Sequence, residues 1–186
     1  MNIASQAKLY YLYMMSDGDV SDNERKLFTS ICRELGVLAE EKNSIIKECN
    51  EIQREFGLSC VEILRENAQG DYPYGLMHLD LRENTWERDK ASIMWNLINL
   101  GYADTYYTNN EKEVVNYLRD YWQIKNSLWR EMIDVAETIW ALEKHKKWVV
   151  DTLPDSEEKQ ARLKQIEKDI KYTQQSIRTT ISEIEI

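Results

Sequence analysis

The chain has 186 residues, with 33 acids against 24 bases for a formal net charge of −9, and only six Gly and two Pro among 31% charged positions. That length supports one well-buried core plus an appended element, and few turn-formers at this charge density describe a chain that spends its length in helices. No apolar run approaches the ~20 residues of a membrane span, and Met1-Asn2-Ile3-Ala4 has no basic region ahead of an apolar stretch, so a cytoplasmic location is expected.

Residues 3–15 end in Leu9-Tyr10-Tyr11-Leu12-Tyr13-Met14-Met15, a run that predicts a helix buried around most of its circumference and stopped by Asp17-Gly18. Ser21 and Glu24 form the Ser-x-x-Glu pattern of a capping box, after which Leu27, Phe28, Ile31 and Leu35 follow at helical spacing up to Gly36. A third helix is predicted over Ala39 to Phe56, with Ile45, Ile46, Cys49 and Ile52 on one side. A shorter one runs from Ser59 to about Asn67. Gly70-Asp71-Tyr72-Pro73-Tyr74-Gly75 reads as a loop between two halves, and its tyrosines are expected to fold back onto the body rather than form a recognition loop.

The second half opens with a helix from near Asn84 through Ile93, Met94, Leu97, Ile98 and Leu100 to Gly101. Residues 103–111 then align with residues 16–24 at a constant offset of 87: Asp17/Asp104, Asn23/Asn110 and Glu24/Glu111 are identical, and Ser21/Thr108 are both hydroxyl N-caps. The register continues with Leu27, Phe28, Ile31 and Leu35 falling on Val114, Val115, Leu118 and Trp122. Such a repeat predicts two similar helix-loop-helix units packed against each other. A helix from about Lys125 to Asp151 follows, broken by Leu153-Pro154-Asp155-Ser156. In the last helix Leu163, Ile170, Ile177 and Ile184 recur every seven residues, with Ile166 on the same seam and Thr173 and Thr180 weakening it. That helix either lies back on its predecessor or docks a partner. The fold class is therefore all-α, a bundle of two helix-loop-helix repeats over 1–142 and a C-terminal hairpin or arm over 143–186.

The motif Met15-Ser16-Asp17-Gly18-Asp19-Val20-Ser21-Asp22-Asn23-Glu24 resembles the signature of the tellurite-resistance TerB family, and the two-fold repeat is similar too. That family is in turn similar to the N-terminal domain of membrane-bound DnaJ-like co-chaperones. The resemblance covers residues 3–142. It implies a bundle of about seven helices, a role in chemical-stress or phage-defence assemblies rather than catalysis, and an acidic cluster binding a divalent cation such as Ca²⁺ or Mg²⁺. The positions matching the motif are Asp17, Asp19, Glu24, Asp104 and Glu111. The second copy departs from the pattern, with Thr105 in place of the glycine and Tyr106 where Asp19 would be.

Asp17, Asp19 and Glu24 can converge as hard oxygen ligands, although the spacing is not that of an EF-hand. The structural reading needs no metal, because Ser21 and Glu24 satisfy free helix amides reciprocally while Gly18 supplies a left-handed turn. Cys32, Cys49 and Cys60 lack C-x-x-C spacing and have only His78 and His145 for company, which argues for reduced, packed thiols. Trp95, Trp122, Trp129, Trp140 and Trp148 at helical spacing read as packing. No nucleophile motif or phosphate loop is present, so no enzyme is expected. Residues 143–186 hold nine acids and nine bases, leaving 24 acids against 15 bases in 1–142. The acidic body disfavours nucleic acid and points to protein partners or self-association through the C-terminal helix, with a cation sensor or buffer as the alternative.

Overall fold

A computed structural model of the chain describes residues 1–18, 20–70, 78–81, 86–103 and 107–184. Its helices are α1 (Ile3–Met14), α2 (Asp22–Glu34), α3 (Ala39–Phe56), α4 (Cys60–Gln69), α5 (Glu87–Gly101), α6 (Asn109–Tyr121), α7 (Asn126–Thr152) and α8 (Glu157–Ser182). The described residues contain no strand, so the fold is all-α, and no helix among them is long and apolar enough to cross a membrane. Two compact units divide at 123/124, Met1–Gln123 and Ile124–Ile186. The division precedes α7, which therefore groups wholly with α8.

In the first unit α1 is the central helix. Every side chain from Leu9 to Met14 is buried, and α1 packs against α2, α3, α5 and α6. A helix apolar on all sides is stable only when surrounded, and each large aliphatic side chain it buries contributes roughly 1.5–3 kcal/mol. The repeat is reproduced to the residue: α2 and α6 each have 13 residues, and both their ends differ by 87. Their C-caps Leu35 and Trp122 are right-handed, and the following Gly36 and Gln123 are both left-handed, at φ 78° and 53°. A glycine adopts that turn without steric cost, whereas Gln123 bears the Cβ penalty.

Between the copies lie α3, α4 and the strap 78–81. Asn67 is buried on α4, donating to Ile63 O at 2.8 Å and accepting from Leu79 N at 2.6 Å, so it carries Leu79 and Leu81 into the core. The loop predicted at 70–75, with Tyr72 and Tyr74, lies outside the described residues beyond Gly70. The predicted α5 start near Asn84 also falls outside them, and the helix is seen from Glu87.

The second unit is an antiparallel hairpin, so the last helix lies back on its predecessor. Ile166 and Ile170 cluster with Val149, flanked by Ile139, Leu142, Leu153 and Leu163, and Ile177 is fully buried further along. Ile184 follows the end of α8. Thr180 is accommodated by donating to Glu131 Oε1 on α7 at 2.9 Å, and Thr173 donates to Asp169 O within its own helix. The turn is closed by Lys159, whose ammonium has three protons and donates to Val150 O, Leu153 O and Asp155 Oδ1 at 3.0, 2.8 and 3.2 Å. It thereby satisfies carbonyls that the end of α7 leaves open. Trp95 and Trp122 are buried and Trp129 and Trp140 half-buried, but Trp148 is 50% exposed, because its neighbour Val149 takes the inward position.

Candidate functional site at the paired loops

The two copies of the motif meet at the loops before α2 and α6. In the first copy, α1 runs into a 3-10 turn over Met15–Asp17. Gly18, at φ 92°, ends it by donating its N–H to Met15 O at 3.1 Å. Ser21 then caps α2: Glu24 N donates to Ser21 Oγ at 3.2 Å, and Ser21 N donates to Glu24 Oε2 at 2.8 Å. The second copy repeats this at α6, where Glu111 N donates to Thr108 Oγ1 at 3.3 Å. Glu111 Oε2 accepts from both the amide and the hydroxyl of Thr108, at 2.7 and 2.8 Å. Reciprocal bonding of this kind satisfies two of the free amides that begin a helix, and the positive helix end favours the carboxylate there.

A third box, Ser59 with Glu62 at the head of α4, shows what is particular to the repeat. It has the same Ser-x-x-Glu pattern, legible in the sequence though passed over there, and its glutamate faces solvent. The repeat's glutamates do not: Glu24 and Glu111 are 2% and 3% exposed. Burial, rather than capping, sets the paired loops apart.

Asn23 and Asn110 tie the loops together. Asn23 Nδ2 donates to Ala103 O at 3.4 Å, and Asn110 Nδ2 donates to Ser16 O at 2.8 Å. Adding 87 to 16 and 23 gives 103 and 110, so each bond is the image of the other under the repeat. The identity of these two asparagines was visible in the alignment, but their partners lie 80 and 94 residues away. Only the fold brings them together.

Between the caps sits Tyr13, fully buried at the end of α1. Its hydroxyl approaches Tyr107 without a well-formed hydrogen bond among the described residues, and it rests on Gly101, where a Cβ would strike it. Burial first, then Tyr107 and the Glu111 and Glu24 carboxylates, push Tyr13 well above the usual phenol range. Tyr107 is likewise raised by burial, Tyr102 and Glu111, and its ring lies 4.8 Å from that of Tyr102. Both phenols therefore remain protonated at any physiological pH.

The proposed cation ligands are distributed as follows. Asp17 lies exposed on the 3-10 turn, and Glu24 and Glu111 are buried in the first turns of α2 and α6. Asp19 and Asp104 lie outside the described residues. Among the described residues no group of three or more His, Cys, Asp or Glu side chains is placed to hold a metal. Glu24 and Glu111 each commit an oxygen to a cap, so the described side chains do not by themselves complete the six to eight oxygens that Ca²⁺ takes. Cys32, Cys49 and Cys60 are free and buried, as expected from the sequence.

Fold and site together define an internally duplicated all-helical module whose signature side chains cap helices and lock two loops. The family model for tellurite resistance protein TerB matches residues 3–133, and the chain belongs to that family. Neither the curated proteins nor the solved structures include a significant match.

Proposed function

We propose that the chain acts without catalysis in the cytoplasm, as an interaction or scaffold module in a tellurite-type chemical-stress response or in phage defence. The supporting observation is that the motif's polar side chains are spent on architecture. Ser21, Glu24, Thr108 and Glu111 cap helices, and Asn23 and Asn110 clasp the two copies. A body fixed in this way suits contacts made by its surface, and the acidic surface and the C-terminal hairpin are the surfaces on offer. The test is affinity capture from the native host with and without tellurite challenge, alongside light scattering of the pure protein. Wild type should bring down a stoichiometric partner or self-associate, and Trp148→Ala and Tyr172→Ala on the hairpin should reduce that yield. A monomer that captures nothing under either condition would remove the reading.

A second reading is a divalent-cation sensor or buffer built on Asp17, Asp19 and Glu24, with Asp104 and Glu111 as a weaker counterpart. It is favoured by the burial of Glu24 and Glu111 on either side of Tyr13. Calorimetric titration with Ca²⁺ and Mg²⁺ tests it, and heat that is absent, or unchanged in Asp19→Asn, would eliminate it.

A further inference from the structure

We propose that the outer face of α2 is a docking groove for a short acidic segment of a partner protein. This rests on the reading of the chain as an interaction module. A shallow groove of about 400 Å³ is lined by Asp22, Arg25, Lys26, Thr29, Ser30 and Arg33. These positions follow i, i+3, i+4, i+7, i+8 and i+11, one face of a helix. Lys42 reaches across from α3, donating to Thr29 Oγ1 at 3.2 Å.

Arg25, Arg33 and Lys42 are held in place by neutral acceptors. Arg25 Nε donates to Val20 O at 3.1 Å and Arg33 Nη2 to Ser30 Oγ at 3.4 Å. In the same unit Lys8, Lys47, Arg65 and Arg119 each pair with a carboxylate. Among the described residues Arg25, Lys26, Arg33 and Lys42 form no ion pair. Residues 1–142 hold 24 acids against 15 bases, whereas this stripe gathers Arg25, Lys26, Arg33 and the adjoining Lys42 around a single lining acid, Asp22.

Charge complementarity selects the occupant. Guanidinium groups bind carboxylates through paired, charge-assisted hydrogen bonds, and the Thr29 and Ser30 hydroxyls keep a proton to donate. From residue 22 to 33 a helix rises ~17 Å, a length matched by about five residues of extended chain at ~3.3 Å each. A nucleic acid or an anionic membrane would run past the stripe onto the acidic body and be repelled there, since screening takes ~8 Å at physiological salt. A short acidic segment ends where the stripe ends. Asp22 brings a carboxylate to one end of the groove and repels acid there, so the segment's acids are set toward Arg33.

The test is fluorescence anisotropy of the full chain with a labelled five-residue Asp/Glu peptide. Saturable binding that weakens as salt rises is expected. Arg25→Gln combined with Arg33→Gln should weaken it on the order of 10-fold, and Lys47→Gln, which removes an exposed charge elsewhere, should leave it within about 2-fold. Circular dichroism checks that the variants keep their helices. Absence of saturable binding, or equal loss in Lys47→Gln, overturns the proposal. So does a single-stranded oligonucleotide or inorganic phosphate bound as tightly through the same arginines. Self-association abolished by the arginine variants would make a second copy the occupant and also overturns it. If the double variant captures the host partner as well as wild type does, the groove fails while the interaction module stands. If wild type captures nothing, the module fails, and the peptide titration still decides the groove.

Discussion

Gly101 ends α5 at the point where the two copies meet, and replacing it with alanine sets two effects against each other. Alanine is favoured over glycine in a helix by about 0.8–1.0 kcal/mol, and Gly101 has no positive φ to oppose the change. Its new Cβ, however, would meet the Tyr13 hydroxyl and stand 2.7 and 2.8 Å from two ring carbons of Tyr107. Tyr13 is fully buried, so its ring has no open space into which to swing. Overpacking of this sort costs roughly 1–3 kcal/mol. With two rings to displace, the upper part of that range applies, and the net loss is about 2 kcal/mol. For a chain of this size that lowers Tm by roughly 4–8 °C. Urea and thermal unfolding followed by tryptophan fluorescence would measure it. Tyr13→Phe, which withdraws the obstructing hydroxyl, should restore part of the loss. A Gly101→Ala protein as stable as wild type, or one that Tyr13→Phe does not help, would refute the packing argument.

Four further outcomes are expected. Asn110→Ala should cost more stability than Asn23→Ala, each within about 0.5–1.5 kcal/mol, because the Asn110 bond is 2.8 Å against 3.4 Å; chemical denaturation of both variants would show the order, and the reverse order would contradict it. Gln123→Gly should stabilise the protein by about 1 kcal/mol by relieving its left-handed φ of 53°, read as a higher urea midpoint. Lys159→Met should loosen the end of α7 by about 1–3 kcal/mol, since two carbonyls lose their donor; faster amide exchange confined to the hairpin is the signature. Burial pushes the Cys32 thiol up to about 11 and the Cys49 thiol up to about 12, above the usual thiol range, and raises Cys60 as well. Near pH 8 all three thiols should therefore resist a disulfide reagent until denaturant exposes them. Above about pH 9 the unfolded thiols ionise first, so stability declines as pH rises toward the folded values. Rapid thiol labelling of the folded protein would count against this.

Much of the fold was legible because its punctuation is local. Asp17-Gly18 stops α1, Ser-x-x-Glu starts α2, and Leu153-Pro154 divides the hairpin; each acts within a turn of its own position, where spacing suffices to read it. The seam of Ile166, Ile170 and Ile177 was legible for the same reason, and the structure decides only that it faces α7. The site was less so. The sequence paired Asn23 with Asn110 by offset but offered no means of knowing that each reaches across to the other copy's loop. Nor did it mark Glu24 and Glu111 as buried and Glu62 as exposed, because the three share one pattern and differ only in what the fold lays over them. Gln123 carries no local signal at all, since a glutamine does not mark a left-handed turn as Gly36 does. The basic stripe on α2 was hidden by the averaged acidity of the body, in which adjacent Arg25 and Lys26 are offset in sequence by Asp22 and the buried Glu24.

The reciprocal clasp is self-complementary. Each copy contains both a donor asparagine and an acceptor carbonyl seven positions before it, Asn23 with Ser16 and Asn110 with Ala103. An element of that kind complements itself: two identical copies related by a two-fold axis would satisfy each other with nothing left over, the isologous contact of a symmetric dimer. The present chain holds that arrangement in one polypeptide. Halves carried in one polypeptide need not be identical, and Tyr106 standing at the repeat position of Asp19 is a difference between them that a true homodimer could not have.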